Sequence, residues 1–452
     1  MLTISNLTVK RNRRILLKSL NLSIPSGVVF EVYGPNGSGK TSLLRTLAGI
    51  SSPSSGKTNS NIFTRFYIPT TGGFREELTP TEILGSFTVN KHSQVDNSLA
   101  RFKLTKQKEQ PSDTLSDGQK KRMMLAGVSV SKDTLLVIDE PFNGLDSKGV
   151  FLTVKLFQNI CNSGGIVILA THHPLEKILK DNSTLEWENF KIKTISISTH
   201  PEKFEISQKD IANNSTVQQL YDFCDDKKNS KTLTLIDFLK RELQIAKREF
   251  SDLGWPIILY CMIVSVIPFG IGYQKELLKE SAGGLFWIVS VLVMIFASSR
   301  LFELEYKQGF LDQLLVRQDS LLAYSWSKFI INWIVIGIPI AIISIPLSIL
   351  YKLPFDISLS LGLSLFVGTF TTSLILTLFS ALGIMARQAQ MVISLLSLPI
   401  LVPIIIFGSA IVRGRLDGVA VDNLFVLLVA ISFFGSLIVP PICSKLIDLA
   451  TD

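Results

Sequence analysis

The segment Gly34–Thr41, which reads GPNGSGKT, is the part of the sequence whose residue types and spacing point most directly to chemistry. It fits the pattern G-x-x-x-x-G-K-[ST] at every fixed position, follows the β-rich run Val28–Tyr33 and opens into a helical pattern. Glycines let the backbone curl so that successive N–H groups point at phosphate oxygens, and the following helix contributes its positive end. We therefore predict a phosphate-binding loop for ATP. Its predicted nucleotide-binding residues are Gly34, Pro35, Asn36, Gly37, Ser38, Gly39, Lys40, Thr41 and Ser42.

Two acidic residues follow a second apolar run, in the stretch LLVIDEPFNGLD. Four apolar residues before Asp139 predict a buried strand that delivers this carboxylate to its end, where it can hold Mg²⁺ through water. The Thr41 hydroxyl is the expected second contributor to the Mg²⁺ site. Glu140 follows directly and is placed to act as the general base on the attacking water, so the pattern predicts ATP hydrolysis.

Elements of alternating type must position these residues. Short β-rich runs alternate with helical patterns over residues 1–195, which predicts an α/β ATPase domain with a mostly parallel sheet. Residues 196–238 are polar and are interpreted as the last strands of this domain followed by a linker. Residues 239–452 form the predicted membrane domain, which is all-α.

The membrane prediction depends on six long apolar runs. Each approaches or exceeds the roughly 18 to 20 residues that a helix needs to cross a bilayer. The predicted spans are Trp255–Tyr273, Ala282–Ser299, Phe329–Leu350, Ile357–Met385, Met391–Val412 and Leu424–Cys443.

Charge is distributed unevenly between the two halves. Residues 1–251 contain 34 Lys and Arg against 25 Asp and Glu, whereas the remaining residues contain 11 against 12. Cationic residues are more frequent at the flanks that lie on the ATPase side of the spans, so the positive-inside rule predicts that this domain and both termini are cytoplasmic. The basic half lacks an arginine-rich stripe with interleaved aromatics, and we therefore expect membrane lipid rather than nucleic acid as its partner.

The stretch LSDGQKKRMMLAGV, which begins at Leu115, resembles the signature of ATP-binding cassette (ABC) ATPases. In that family the signature contacts the γ-phosphate bound to the opposite cassette, which implies nucleotide-binding roles for Ser116, Gly118 and Gln119. Asp146 matches the family's dimer-contact aspartate, and His172 matches its switch histidine at the γ-phosphate. The resemblance therefore implies a dimer with a second copy of the chain, unless another chain supplies the second cassette.

Two positions depart from the family pattern. Thr71, or in a shifted alignment Thr70, stands where the family usually has a glutamine that links the nucleotide site to the membrane domain. We therefore expect Thr71 to mark an altered coupling contact. In addition, the stretch LTVKRNRRIL contains no aromatic residue for stacking on adenine, which leaves the base selectivity open.

A second resemblance covers nearly the whole chain. The stretches KRELQIAKREFSDL and RLFELEYKQGFLDQLLV are similar to CcmB, the membrane component of the bacterial cytochrome c maturation system, whereas the cassette is similar to CcmA, the ATPase of that system. The chain thus resembles a fusion of two proteins that are ordinarily separate. This resemblance implies an inner-membrane ATPase that works with a haem-handling membrane protein and a periplasmic haem chaperone.

The sequence between the second and third spans predicts how ATP hydrolysis reaches the membrane. We name residues 300–319 the coupling segment. In it Phe310, Leu311, Leu314 and Leu315 fall on one helical face, which we expect to dock on the cassette. All four histidines precede the first span, so a mechanical role is favoured over haem binding within the spans. Two alternatives stay open: an exporter of a lipid, glycan or drug, and a regulatory cassette that the spans merely anchor.

Overall fold

The computed structural model describes residues 1–11, 14–60, 64–87, 92–128, 130, 134–181, 190–197, 204–211, 233–272, 275–298, 301–384 and 389–451. The chain divides into two compact units. The first contains Met1–Thr232 together with Lys307–Asp319 and Thr451–Asp452, and the second contains Leu233–Tyr306 and Ser320–Ala450. Most of the predicted linker, residues 212–232, lies outside the described residues.

The first unit begins with β-strands and continues as alternating strands and helices. Its strands are β1 (Leu2–Arg11), β2 (Arg14–Ile24), β3 (Val28–Tyr33), β4 (Ser55–Ser60), β5 (Thr64–Ile68), β6 (Thr134–Asp139), β7 (Ile166–Thr171), β8 (Phe190–Ile197) and β9 (Phe204–Ile211). Its helices are α1 (Lys40–Ala48), α2 (Pro80–Phe87), α3 (His92–Arg101), α4 (Asp117–Ala126), α5 (Ser147–Asn162) and α6 (Leu175–Asp181). Short 3₁₀ turns cover Thr105–Gln107 and Ser112–Thr114.

A six-stranded sheet in the order β5-β6-β7-β3-β8-β9 organises this unit. All neighbouring strands are parallel except β8 and β9, which confirms the predicted α/β class with a mostly parallel sheet. The apolar runs in β3, β6 and β7 are buried on both faces, as in parallel sheets covered by helices. Strand β8 crosses the predicted boundary at residue 195, and β9 adds a strand within 204–211.

The register brings the carboxyl ends of β3, β6 and β7 to one edge of this sheet. Tyr33 is paired with Thr171, and Asp139 is paired with Ala170. The residues that follow these strands are therefore neighbours in space. A separate antiparallel sheet, in the order β2-β1-β4, completes the core of the unit.

The second unit is entirely helical in its described part. Its helices are α7 (Leu235–Arg248), α8 (Phe250–Ile271), α9 (Lys275–Ser298), α10 (Glu303–Gln308), α12 (Leu321–Asn332), α13 (Ile338–Leu347), α14 (Phe355–Gly383), α15 (Ala389–Leu416) and α16 (Asp422–Thr451), and the coupling segment contains α11 (Phe310–Val316). A π-helical turn, Trp333–Gly337, joins α12 to α13, and a 3₁₀ turn covers Ser348–Tyr351. The predicted start of the membrane domain at residue 239 lies inside α7.

Six helices in the described residues are long and apolar enough to cross a membrane, which agrees with the predicted number. They are Gly254–Ile271, Lys275–Gln308, Leu321–Tyr351, Phe355–Gly383, Leu396–Leu416 and Asp422–Thr451. The second and third begin well before the predicted Ala282 and Phe329, because polar turns continue the helices beyond their apolar parts. The predicted span ends Tyr273, Ser299 and Met385 lie outside the described residues.

Helix α7 and the polar parts of the second and third of these helices contain a cluster of four charged residues, all at most 5% exposed. Arg241 donates to Glu242 over 2.6 Å and to Glu305 over 2.9 Å. Lys328 lies 2.9 Å from Glu242 and 2.8 Å from Glu305. The Tyr324 hydroxyl also donates to Glu305. Two cations and two carboxylates are thus buried together, and no pattern in the sequence predicted that they would pair.

Candidate functional site

The loop between β3 and α1 has the backbone conformation that phosphate binding needs. Gly37 and Gly39 have positive φ angles of 77° and 98°, which glycine adopts without steric cost. Gly34 cannot carry a side chain here, because a Cβ atom would lie 2.4 Å from the Ile197 carbonyl oxygen. Helix α1 begins after Gly39 with no side-chain cap, so the amides of its first turn face the loop without an internal acceptor from a cap.

Lys40 folds back into this loop. Its Nζ donates to the Gly34 carbonyl over 2.7 Å and to the Pro35 carbonyl over 3.1 Å, and the residue is 6% exposed. Burial lowers the pKa of Lys40, whereas the nearby Glu140 and Asp139 raise it. Carbonyl groups do not neutralise an ammonium group, so the loop presents a desolvated cation to which phosphate oxygens can bind.

Ser38 supports the same interpretation of the loop. Its Oγ is buried and has no hydrogen-bond partner in the described part of the chain. An orphaned buried hydroxyl is costly, and phosphate oxygens are the acceptors that this cradle would supply. The residues present therefore fit a nucleotide phosphate.

The predicted Mg²⁺ contributors come together across the sheet edge. The Thr41 hydroxyl donates to Asp139 Oδ2 over 2.7 Å, although the two residues are 98 positions apart. A hydroxyl and a carboxylate form an all-oxygen donor set of the kind that Mg²⁺ prefers. Asp139 is 4% exposed at the end of β6, so little solvent reaches its carboxylate.

Glu140 is held in a strained conformation beside His172. Its φ angle is +49°, which is uncommon for a residue with a side chain, and its amide donates to the Ala170 carbonyl over 3.0 Å. The His172 Nε2 lies 2.9 Å from Glu140 Oε1. Burial raises the pKa of Glu140, opposed mainly by His172, and a raised pKa suits a carboxylate that accepts a proton from water.

Glu31 is a residue of this site that was not predicted from the sequence. It lies inside β3, is 2% exposed and accepts from Thr171 over 3.0 Å, from the Leu175 amide over 2.6 Å and from Thr194 over 3.1 Å. Two of these bonds hold the ends of the loop that carries His172. Burial raises the pKa of Glu31. A charged residue within an apolar strand is the sequence signal that would have indicated it.

The signature residues and Asp146 form a second cluster. Ser116 caps α4: its Oγ accepts from the Gln119 amide over 3.3 Å, and Gln119 Oε1 accepts from the Ser116 amide over 2.9 Å. Asp146 caps α5 by accepting from the Gly149 amide over 2.8 Å. A Cβ atom on Gly118 would lie 2.4 Å from the Gly144 carbonyl oxygen, so α4 and the loop before Asp146 pack closely. Within the described residues, these caps do not involve the phosphate loop.

Thr71 contacts the coupling segment. Its Oγ1 donates to the Gln308 carbonyl over 3.2 Å, and the Gly73 amide donates to the same oxygen over 2.8 Å. Gly309 has a φ angle of +80°, and a Cβ atom there would lie 3.1 Å from both Pro69 and Thr71. The loop after β5 therefore follows the backbone of the coupling segment closely.

Side chains of the coupling segment reach two further elements of the first unit. Arg45 on α1 donates to Asp312 over 2.5 Å, and Gln313 donates to the Tyr67 carbonyl at the end of β5. The apolar side chains predicted to share one face are buried or partly buried, and Leu315 packs against the core of the first unit. The predicted apolar face is thus a packing face.

The phosphate loop, the acid pair with its histidine and the signature helix together define an ATPase of the ABC class, joined in sequence to six membrane-type helices. Residues 17–143 match the ABC transporter family, and residues 233–446 match the family described as CcmB protein. The chain belongs to both families.

Individual relatives match one half of the chain each. Heme exporter protein B of Rhodobacter capsulatus is 30% identical over 202 residues, which are 45% of this chain and 93% of that protein. The cytochrome c biogenesis ATP-binding export protein CcmA of Pseudomonas savastanoi is 34% identical over 38% of this chain and 88% of that protein. CcmA of Shewanella oneidensis is 36% identical over 40% of this chain and 90% of that protein. The chain is consistent with a fusion of a CcmA-like and a CcmB-like protein.

Proposed function

We propose that this protein is the ATP-hydrolysing membrane component of a bacterial cytochrome c maturation system. Two copies of the chain bind ATP between their cassettes, with Ser116 and Gly118 of each copy completing the site of the other. Binding and hydrolysis then move the membrane helices and drive haem delivery, or the release of a haem-loaded periplasmic chaperone from a haem-handling membrane protein.

Five residues of the ATP site have a chemical role in this proposal. Lys40 and the loop amides bind the β- and γ-phosphates, and Thr41 with Asp139 would hold Mg²⁺, which supplies charge neutralisation at the phosphates. Glu140 takes a proton from the attacking water. His172 orients the Glu140 carboxylate through the 2.9 Å contact and meets the γ-phosphate.

The placement of the coupling segment is the observation that carries the proposal. The second membrane-type helix ends at Gln308, and residues 307–319 of the coupling segment belong to the same compact unit as the cassette. Their bonds go to α1, which begins at the phosphate loop, and to the end of β5. A change at the phosphate loop therefore has a short route to a segment that continues directly into the third membrane-type helix. This arrangement favours mechanical coupling over a cassette that is merely anchored.

We propose the inner membrane as the location, with the ATPase domain and both termini in the cytoplasm. The greater number of cations at the flanks on the ATPase side supports this orientation. Labelling of introduced cysteines in intact cells with a membrane-impermeant reagent tests it. Cysteines in place of Asp356 and Asp422, which begin the fourth and sixth spans, should react from outside, whereas one in place of Lys57 should react only after permeabilisation. The reverse pattern would contradict the orientation.

Complementation tests the function. The protein is expressed in a bacterium that lacks its own CcmA and CcmB but retains the other maturation proteins, and covalent haem on a reporter cytochrome c is measured. We expect attachment with the wild type and with the control Glu276→Gln, which replaces an exposed glutamate, but not with Glu140→Gln. No attachment by a membrane-inserted, ATP-hydrolysing wild type would contradict the proposed pathway and favour an exporter of another substrate.

A further inference from the structure

Lys121 is a buried cation that neither the motif nor the proposed chemistry uses. It lies on α4, two residues after Gln119, and is 9% exposed. Its Nζ donates to the backbone carbonyl of Asp139 over 3.2 Å. Burial lowers the pKa of Lys121 to about 8, opposed by Asp139 and Glu140. The side chain therefore places a positive charge beside the acid pair. It contacts the carbonyl oxygen of the peptide group that links Asp139 to Glu140.

The peptide group between Asp139 and Glu140 is held from two sides. Its carbonyl accepts from Lys121, and its amide, which belongs to Glu140, donates to the Ala170 carbonyl over 3.0 Å. This peptide leads into the positive φ angle of Glu140. Strained backbone persists only where its surroundings fix it, so these two bonds hold the backbone from which the Glu140 side chain projects toward His172.

The same helix face makes a second contact with the same segment. Gly118 and Lys121 are three residues apart, so they lie on one side of α4. Gly118 packs against the carbonyl of Gly144, where no Cβ atom would fit, whereas Lys121 reaches Asp139. Helix α4 thus contacts the segment that leads from the acid pair to Asp146 at two places, at Asp139 and at Gly144.

We propose that Lys121 is a positioning residue that links the two ATP sites of the cassette dimer. This inference rests on the proposed roles of Glu140 as base and of Ser116 at the partner's nucleotide. The amino end of α4 meets ATP bound by the other copy, and Lys121 ties the same helix to the peptide that aims Glu140 at the chain's own ATP. Engagement of one site therefore sets the geometry of the base in the other.

The variants Lys121→Met and Lys121→Arg separate positioning from folding. Methionine keeps the length and apolar stem of the side chain but removes the donor and the charge, whereas arginine keeps both. Lys120→Met is the matched control, because Lys120 lies on the same helix and pairs with Glu76 over 2.7 Å, away from the acid pair. The purified full-length protein is assayed for ATP hydrolysis, for the ATP dependence of the rate and for thermal unfolding.

For Lys121→Met we expect kcat to fall at least about tenfold, because a misplacement of about 1 Å in an active site costs up to about a hundredfold. The KM for ATP should change by less than about threefold, since among the described residues the hydrogen bond of Lys121 goes to Asp139 rather than to the phosphate loop. The Hill coefficient for ATP should fall toward one. Lys121→Arg and Lys120→Met should keep kcat within about threefold of the wild type.

Other outcomes overturn the proposal. A Lys121→Met protein that hydrolyses ATP at the wild-type rate with unchanged cooperativity shows that Lys121 does not position the base. An equal loss of kcat in Lys120→Met shows a general effect on α4. If Lys121→Met does not fold, Lys121→Leu replaces it, and wild-type kcat and cooperativity in that shorter variant without a donor or a charge have the same meaning.

The proposed haem function is tested independently of these assays. ATP hydrolysis is measured without haem or partner proteins, so failure of complementation leaves the Lys121 result intact. Conversely, normal hydrolysis by Glu140→Gln would remove the base on which this inference depends.

Discussion

The ATP site and the charged cluster of the second unit are both built from two cations and two carboxylates, yet they differ in how their charges are satisfied. In the cluster, Arg241 and Lys328 each contact both Glu242 and Glu305. In the ATP site, Lys40 donates to backbone carbonyls, and Lys121 donates to the Asp139 carbonyl. Each cation of the cluster is thus paired with two carboxylates, whereas both lysines of the ATP site are held by neutral carbonyl oxygens.

This difference separates a structural role from a catalytic one. Buried cations that are paired with carboxylates hold elements together, and removing one partner leaves an uncompensated charge. A buried cation held by neutral oxygens, beside a Ser38 hydroxyl that lacks a partner among the described residues, instead favours an anion that the chain does not provide. Burial of a charged side chain alone therefore does not identify a functional site. A functional role is indicated when the buried cation has neutral oxygens rather than carboxylates as its partners.

Glu140→Gln should have the largest effect, on catalysis rather than on folding. Loss of a general base lowers kcat by about 10²–10⁴-fold, whereas ATP binding should persist because the phosphate loop is unchanged. ATPase assays and equilibrium ATP binding check this prediction. Hydrolysis at the wild-type rate would show that Glu140 is not the base.

Glu305→Gln should have the largest effect on stability. It leaves Arg241 and Lys328 with Glu242 as their remaining carboxylate in the cluster, and breaking a buried pair costs about 3–5 kcal/mol. Thermal unfolding in detergent, with the exposed Glu276→Gln as control, checks this prediction. If Glu305→Gln unfolds at the wild-type temperature, as the control should, the cluster does not stabilise the second unit.

The rate of hydrolysis should depend on pH through Glu140. The base must be ionised, and burial raises its pKa above the ordinary 4.5, so activity is retained at higher pH and lost as the pH falls through the raised value. Below that value kcat should fall about tenfold per pH unit. A pH–rate profile at saturating Mg-ATP measures it, and an acid limb below 4.5 would contradict the proposed environment.

Glu31 allows charge and hydrogen bonding to be separated within the cassette. Glu31→Ala leaves the Leu175 amide and two threonine hydroxyls without their acceptor, which costs about 1–3 kcal/mol for a buried unsatisfied group. Glu31→Gln keeps an acceptor and removes a charge that burial disfavours, so its stability should match or exceed that of the wild type. Thermal unfolding at neutral pH compares them, and a destabilised Gln variant beside a stable Ala variant would reverse the interpretation.

Asp312→Asn should have the smallest effect on the fold and a selective effect on function. The Asp312 side chain is only 9% exposed and that of Arg45 is 21% exposed. Burial raises the pKa of Asp312, and asparagine keeps an oxygen that can accept from Arg45, so loss of the charge should cost about 1 kcal/mol or less. We expect ATP hydrolysis within about twofold of the wild type but reduced haem attachment, since the pair joins α1 to the coupling segment. Complementation and ATPase assays on the same variant check this, and unimpaired haem attachment would remove this pair from the coupling route.

Local sequence alone determined the phosphate loop, the acid pair and the number of membrane-type helices. These features depend on contiguous residues: a glycine pattern before a helix, an apolar strand ending in acid, and runs long enough to cross a bilayer. The apolar face of the coupling segment was predictable for the same reason, because helical periodicity is local.

Only the tertiary structure decided which distant residues share a site. Glu31 meets Leu175, Arg241 meets Glu305, and Lys121 reaches Asp139 through a helix and strand that no spacing rule connects. Strand order and the helices on the sheet bring these residues together, and the low dielectric of the interior then makes each pairing significant. The sequence shows the charged side chains, but burial and pairing, which give them their roles, arise only when the chain is folded.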